Sequence, residues 1–202
     1  PIRLWTVAVF LFGALPVLKK RGIGRLIIGD EYDTTVRRIF HGITHYDGLF
    51  DQSRYFDSIL SRYFMAKGWS ISQFSILRPL SELLIMKIFA ERFPILQKNQ
   101  VSCHAASIVH ERVVPCGKCE KCRRIIGMLT AIGKNAEVCG YKKINIESSL
   151  KSLAEKRIHQ EAEGYQHLLY MLEQINAIDS SKMSKEHPEI QKIRIDPQKS
   201  PL

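Results

Sequence analysis

No stretch of the sequence is long enough and apolar enough to span a bilayer. The most apolar run, "PIRLWTVAVFLFGALPVL", falls short of the roughly 20 residues a spanning helix needs, and Gly13 and Pro16 interrupt it. No A-x-A cleavage site follows it, which sets a secretory signal aside. No internal repeat is present, so repeat architectures are set aside too. An even, dispersed set of cysteines is missing: there are five, four of them packed into residues 103–122. That is not the layout of a secreted disulfide scaffold and fits a reduced, cytoplasmic metal site. Acidic residues are outnumbered, 20 Asp and Glu against 30 Lys and Arg, for a formal net charge of +10. The excess favours polyanionic company, whether nucleic acid, nucleotide or a phosphorylated substrate. What is present is ordinary globular material, 45% hydrophobic and 25% charged over 202 residues, enough for one sizeable domain with an appendage.

The order of elements reads as α/β. The apolar opening is expected to be a buried helix packed on a sheet. Gly22 and Gly24 mark a turn, and Leu26, Ile27 and Ile28 read as a strand covered on both faces of a parallel sheet. Asp30, Glu31 and Asp33 then fall at the carboxyl end of that strand, where open α/β sheets bind ligands. Residues 34–53 show no sustained period and read as a functional loop carrying His41, His45, Asp47, Asp51, Gln52 and Ser53. The two histidines read as surface or packing residues. Ser53 is also a natural N-cap for the helix "RYFDSILSRYFMAKG", a structural role that competes with ligand binding for all of Asp51, Gln52 and Ser53.

"SISQFSIL" is a second strand, and "RPLSELLIMKIFAERF" a helix opening at Pro79 with a stripe of Leu80, Leu84, Ile85, Ile88 and Phe89. "EKCRRIIGMLTAIG" is a helix stopped by Gly133. One or two further helices occupy 147 to about 176, and the polar, proline-bearing stretch from Asp179 reads as a loose tail or linker. The expected organisation is an α/β part at 1–140 with a zinc motif, a helical extension at 141–178, and a tail at 179–202.

The densest signal is the spacing C-x12-C-x2-C-x2-C made by Cys103, Cys116, Cys119 and Cys122. Four thiolates around a turn at Gly117 suit a closed, tetrahedral structural zinc site. Lys118, Lys121, Arg123 and Arg124 would offset its negative charge. An iron–sulfur cluster and a redox dithiol compete. The first wants a further Cys and Pro after Cys122, where Arg123, Arg124, Ile125 and Ile126 stand; the second has no use for three evenly spaced thiols. His104 and His110 are spare ligands, and Cys139 reads as a small buried residue.

The stretch "SCHAASIVHERVVPCGKCEKCRRIIGML" resembles the zinc motif of 7-cyano-7-deazaguanine synthases, ATP pyrophosphatases of the PP-loop superfamily. The phrases "GDEYD", "FDQSRYFD", "SILRPLSELLI" and "SCH" look closer still to the ATP-dependent epimerases of UDP-N-acetylmuramoyl-L-alanyl-L-glutamate. The resemblance covers about residues 1–135. It implies the C-terminal part of an adenine nucleotide alpha hydrolase-like, Rossmann-like sheet domain. It also implies zinc on the four cysteines, and Asp30, Glu31 and Asp33, with Asp51, Gln52 and Ser53, facing substrate or nucleotide. The implied activity is that of a ligase or epimerase that adenylates a small-molecule carboxylate with ATP and Mg²⁺. A homo-oligomer is compatible with it, and no membrane partner is expected.

The Ser-Gly-Gly-x-Asp-Ser loop that cradles phosphates in that superfamily is absent from these residues. Because the chain opens at Pro1 on what reads as a mid-domain helix, the expectation is that an N-terminal half precedes it. The alternative is a zinc-knuckle module that grips nucleic acid through the four basic residues around the cysteines. The lack of aromatic residues between 101 and 135 argues against single-strand stacking there.

Overall fold

Turn and capping residues cut the chain into short helices and still shorter strands. The computed structural model describes residues 6–46, 48–103, 105–158, 160–179 and 182–195. They form an α/β protein that divides into two compact units, Pro1–Ser81 with Arg194–Leu202, and Glu82–Ile193. The boundaries read from the sequence, at 140 and 178, both fall inside the second unit.

In the first unit, helix α1 (Thr6–Arg21) buries Ala8, Leu11, Leu15 and Leu18, a spacing of three and four that lines one helical face. Their partners are Phe56, Leu60 and Phe64 of α2 (Arg54–Ala66), with Ile71. Val9, Phe10 and Val17 are exposed, so α1 is half-buried against a helix, not enclosed on a sheet as the run suggested. Strands β1 (Arg25–Ile28) and β4 (Ser72–Ser75) pair in parallel, from Arg25 opposite Ser72 to Ile28 opposite Ser75. Leu26 packs on the α1–α2 cluster, whereas Ile27, one residue on, is 59% exposed. The strand is thus covered on one face, because both helices bury their apolar sides in a single cluster.

The region read as a loop holds an antiparallel hairpin, β2 (Arg37–Phe40) and β3 (Ile43–Tyr46), between 3-10 turns at Tyr32–Thr35 and Phe50–Gln52. Its two-residue turn has His41 at φ 48° and Gly42 at φ 76°, the left-handed pair that matches strand twist in tight hairpins.

The second unit is mainly helical: α3 (Glu82–Arg92), α4 (Pro94–Gln97), α5 (Glu120–Ala131), α6 (Lys143–Glu155) and α7 (Ala162–Gln174), with a small hairpin of β5 (Ser107–Val109) and β6 (Arg112–Val114). Helix α5 is its axis. Cys122, Ile125, Ile126, Met128 and Leu129 are buried against Leu153 of α6 and Leu168, Leu169 and Leu172 of α7. Gly127 permits that approach, since a Cβ there would lie 2.6 Å from Leu153 Cδ1. The helix stops where the sequence indicated, with Gly133 N–H donating to Thr130 O (3.0 Å) and Lys134 N–H to Leu129 O (2.8 Å).

Helix α3 departs from the expected pattern. It opens at Glu82, not Pro79, and buries Leu83, Met86 and Ala90, while Ile88 of the expected stripe is 37% exposed. A helix apolar on nearly every side leaves the choice of face to its neighbours. Residues 182–195 are not a loose tail either. Ile190, in a 3-10 turn at Pro188–Gln191, is fully buried in the second unit's core, and the His187 N–H donates to Nδ1 of buried His167 (3.0 Å). Composition alone missed this docking. Among the described residues no helix is long and apolar enough to cross a membrane.

Candidate functional site

Three separated stretches of the first unit meet at one guanidinium. Arg78, just after β4, donates through Nη2 to Asp57 Oδ2 at 2.6 Å and through Nη1 to Thr34 Oγ1 (2.9 Å) and Gln52 O (3.1 Å). Its Nη2 also lies 3.6 Å from Asp30 Oδ2, at the carboxyl end of β1. Gln73, on β4, donates its amide to the other oxygen of Asp57 at 2.7 Å. All three ionisable side chains are buried or nearly so, with Arg78 10% exposed. Burial, opposed by Arg78 and reinforced by Asp57, pushes the Asp30 carboxyl up to about 7. Burial raises Asp57 as well, against the pull of Gln73 and Arg78. Asp30 is thus a carboxyl raised by burial, set beside Arg78, which fixes the geometry.

Arg78, Asp57, Gln73 and Ser75 form one wall of a cavity of about 940 Å³. Tyr32, Tyr46, Tyr55 and Phe74 supply aromatic surface, and Arg37, Arg54 and Arg194 further guanidinium groups. Arg194 stacks its guanidinium 3.4 Å from the Tyr32 ring centre, and its N–H donates to Pro79 O (2.8 Å). An aromatic cavity with several arginines is chemically matched to an anionic ligand with a flat or sugar-like portion.

The residues singled out from the sequence are distributed unevenly around this centre, and none of them lines the cavity itself. Asp30 reaches it through Arg78. Glu31 and Asp33 contribute backbone carbonyls, Glu31 O accepting from the Thr34 hydroxyl (2.6 Å) and Asp33 O from the Val36 N–H (3.0 Å). Asp51, wholly buried, accepts the Val7 and Ala8 N–H groups on one oxygen (2.7 and 3.0 Å) and so caps α1 from a distant part of the chain. Gln52 accepts the Leu49 N–H on its side chain (3.1 Å) and offers its carbonyl to Arg78. Ser53 caps α2, its hydroxyl accepting the Phe56 N–H at 3.1 Å. His41 and His45 are exposed on the β2–β3 hairpin, and Asp47 lies outside the described residues.

Sequence reasoning missed Asp57, Gln73 and Arg78. One signal was available: Asp57 sits on the buried face of α2 with Leu60 and Phe64, and a carboxylate on an apolar stripe requires a buried counter-charge.

In the second unit the four cysteines converge as their spacing suggested. Their sulfurs all lie within 4.8 Å of one another. Three separations are 3.5 Å (Cys119–Cys122), 3.8 Å (Cys116–Cys122) and 3.9 Å (Cys103–Cys119), against the ~3.8 Å edge of a tetrahedron with metal–sulfur bonds of about 2.3 Å. Backbone N–H groups already point at the sulfurs: Ala105 and Cys116 donate to Cys103 Sγ (3.3 and 3.2 Å), Lys118 and Cys119 to Cys116 Sγ (both 3.4 Å). Burial opposes ionisation of Cys116, but the Lys118 and Cys119 amides outweigh it and pull the thiol down. Gly117 holds the turn at φ 70°, and a Cβ there would meet the Asn145 side chain at 2.5 Å.

The donor set, its spacing and its amide support fit a metal ion held by four sulfurs. Cys139 is buried elsewhere, against Gln97 O, His110 occupies the exposed β5–β6 turn, and His104 lies outside the described residues. Of the surrounding cations, Arg123 bonds Ser152 Oγ (2.9 Å) and Arg124 pairs with Glu82 (3.1 Å), so both are turned to the unit's own packing.

Compared with protein-family models, with curated proteins and with solved structures, the chain has no match in any of the three.

Proposed function

We propose that the chain is part of an ATP-dependent, carboxylate-adenylating enzyme of the PP-loop type, whose first unit takes the substrate or nucleotide and whose second is set by structural zinc. One observation carries this reading. The phrases behind the resemblance, "GDEYD", "FDQSRYFD" and "SILRPLSELLI", contribute Asp30, Asp57 and Arg78 to one buried network beside an arginine- and tyrosine-lined cavity. The parallel pairing of β1 with β4 and a cavity near their carboxyl ends support the Rossmann-like interpretation of the sheet.

In such a reaction a carboxylate oxygen bonds to the α-phosphorus of ATP as the α–β anhydride breaks and pyrophosphate leaves. Here Arg78, paired with Asp57 and Asp30, fixes the wall of the cavity, and Arg37, Arg54 and Arg194 supply positive charge for an anionic substrate. Asp30 holds a proton that it releases near neutral pH. Zinc, when bound, supplies cross-linking of the turn at Gly117 to α5 and takes no part in bond making. Thiolate ligands to zinc suit a reducing, cytoplasmic setting.

The alternative, a nucleic-acid-binding zinc knuckle, is weakened by the commitment of Arg123 and Arg124 to Ser152 and Glu82.

Titration of the zinc-loaded chain with UDP-N-acetylmuramoyl-L-alanyl-L-glutamate and with Mg²⁺–ATP tests the proposal. Saturable binding of either, weakened in Arg54→Gln at an unchanged melting temperature and retained in Lys121→Ala, supports it. Failure to bind both, together with salt-dependent binding of an oligonucleotide, overturns it in favour of the knuckle. Metal analysis is expected to return zinc, and iron with visible charge-transfer absorption would refute the zinc assignment.

A further inference from the structure

Arg37 and Tyr46 at the base of the β2–β3 hairpin line the cavity, but the tip of the hairpin has no role in the adenylating reading. Ile39, Phe40 and Ile43 are 78%, 64% and 63% exposed around the His41–Gly42 turn. The register pairs Phe40 with Ile43 and, on the opposite face, Ile39 with Thr44. Apolar side chains therefore occupy both faces of the tip. Behind the tip the pairs are Arg38 with His45 and Arg37 with Tyr46. Behind the residues next to the turn, Arg37 and His45 are exposed and Tyr46 is half-buried. The ten residues "RRIFHGITHY" hold two Arg, two His and a Tyr with no acidic residue.

A strand pair laid in a groove presents alternate side chains to its partner, so one face meets the partner and the other meets solvent. Apolar residues on both faces of a tip, backed by cations and a tyrosine, suit an interface that surrounds the tip on all sides. Two residue pairs reach about 7 Å at ~3.4 Å per residue, within the roughly 5–10 Å depth of interfacial insertion. The charge is complementary to anionic headgroups, which attract basic residues near the surface.

We propose that this hairpin inserts its tip into the headgroup region of an anionic membrane, making the protein a peripheral membrane binder. No spanning helix is required for such a contact, and it stands independently of the adenylating reading.

Co-flotation of the purified chain with vesicles of phosphatidylcholine alone, and of equal parts phosphatidylcholine and phosphatidylglycerol, reads the contact directly. The chain is expected to float with the anionic vesicles at low salt and not with the neutral ones. Ile39→Asp combined with Phe40→Asp lowers the bound fraction by about tenfold or more, and Arg37→Gln by about fivefold. Melting of both variants stays that of the parent, because these side chains are exposed. In Phe40→Trp the indole emission shifts to the blue on adding anionic vesicles. Absence of flotation by the parent chain, or equal flotation by the double variant, overturns the proposal. So does a parent dimer that the double variant converts to monomer, which would assign the tip to a second copy of the chain.

Discussion

Removing the Arg78 guanidinium would leave Asp57 and Asp30 buried without their shared counter-charge. Arg78→Ala is expected to destabilise the first unit by about 3–5 kcal/mol in denaturant titrations, with Arg78→Lys recovering only part of it for want of the planar fork. Asp30 makes a separate, pH-dependent prediction. Its carboxyl is pushed up to about 7 by burial, while an unfolded Asp ionises near pH ~3.9. Between those values the folded chain holds a proton that the unfolded chain has released. Its contribution is full below about pH 4, declines as pH rises to about 7 and is level above. Asp30→Asn should remove that slope when unfolding is followed across the window. His167 works in the opposite direction. Burial, and then His187, hold it below its usual value against the pull of Glu186 and Glu189, and its Nδ1 must stay unprotonated to accept the His187 N–H. Stability from this contact is complete above pH ~6.5 and lost as pH falls below it. Proteolytic cleavage within 182–195 should accelerate there, and His167→Gln should cleave quickly at any pH.

Helix ends and turns respond to other substitutions. Asp51→Ala strips α1 of two N–H partners and should cost about 1–2 kcal/mol by thermal melting, more than Ser53→Ala, because its charge also links distant segments. Gly117→Ala combines a left-handed φ with a collision against Asn145. It should weaken metal retention about tenfold in competition with a chelator. These elements differ in how far the sequence disclosed them. The Ser53 cap, the Gly133 stop and the converging cysteines rest on local spacing and were legible. The Asp51 cap was not, because its partners lie more than forty positions away. The buried side of α3 was hidden for another reason: apolar residues on every side make several faces equivalent until packing selects one. The β2–β3 hairpin did carry a signal, His41–Gly42 between two runs rich in β-branched and aromatic residues, though a histidine is an uncommon first residue in such a turn.

Across the whole molecule, the α/β character and the sulfur site follow from the residues, but the division into units does not. No run of Gly, Pro or Ser marks position 81, where the chain passes from one compact body to the next. Two independent cores make a clean prediction for metal removal. A zinc chelator should raise amide exchange in β5, β6 and α5, which flank the four cysteines, and leave β1, β4 and α2 protected; a uniform rise would contradict it. The first unit is also discontinuous. Arg194, whose guanidinium covers Tyr32 and whose N–H meets Pro79, is separated from Ser81 by the entire Glu82–Ile193 unit. A ribosome adding residues at ~5–20 per second needs roughly 5–25 s to bridge that interval. Throughout it, the nascent first unit waits with one side of its cavity unfinished, while the cysteine-bearing unit emerges and can collect its metal. Synthesis therefore imposes an order, sulfur site before completed cavity, that refolding from denaturant does not.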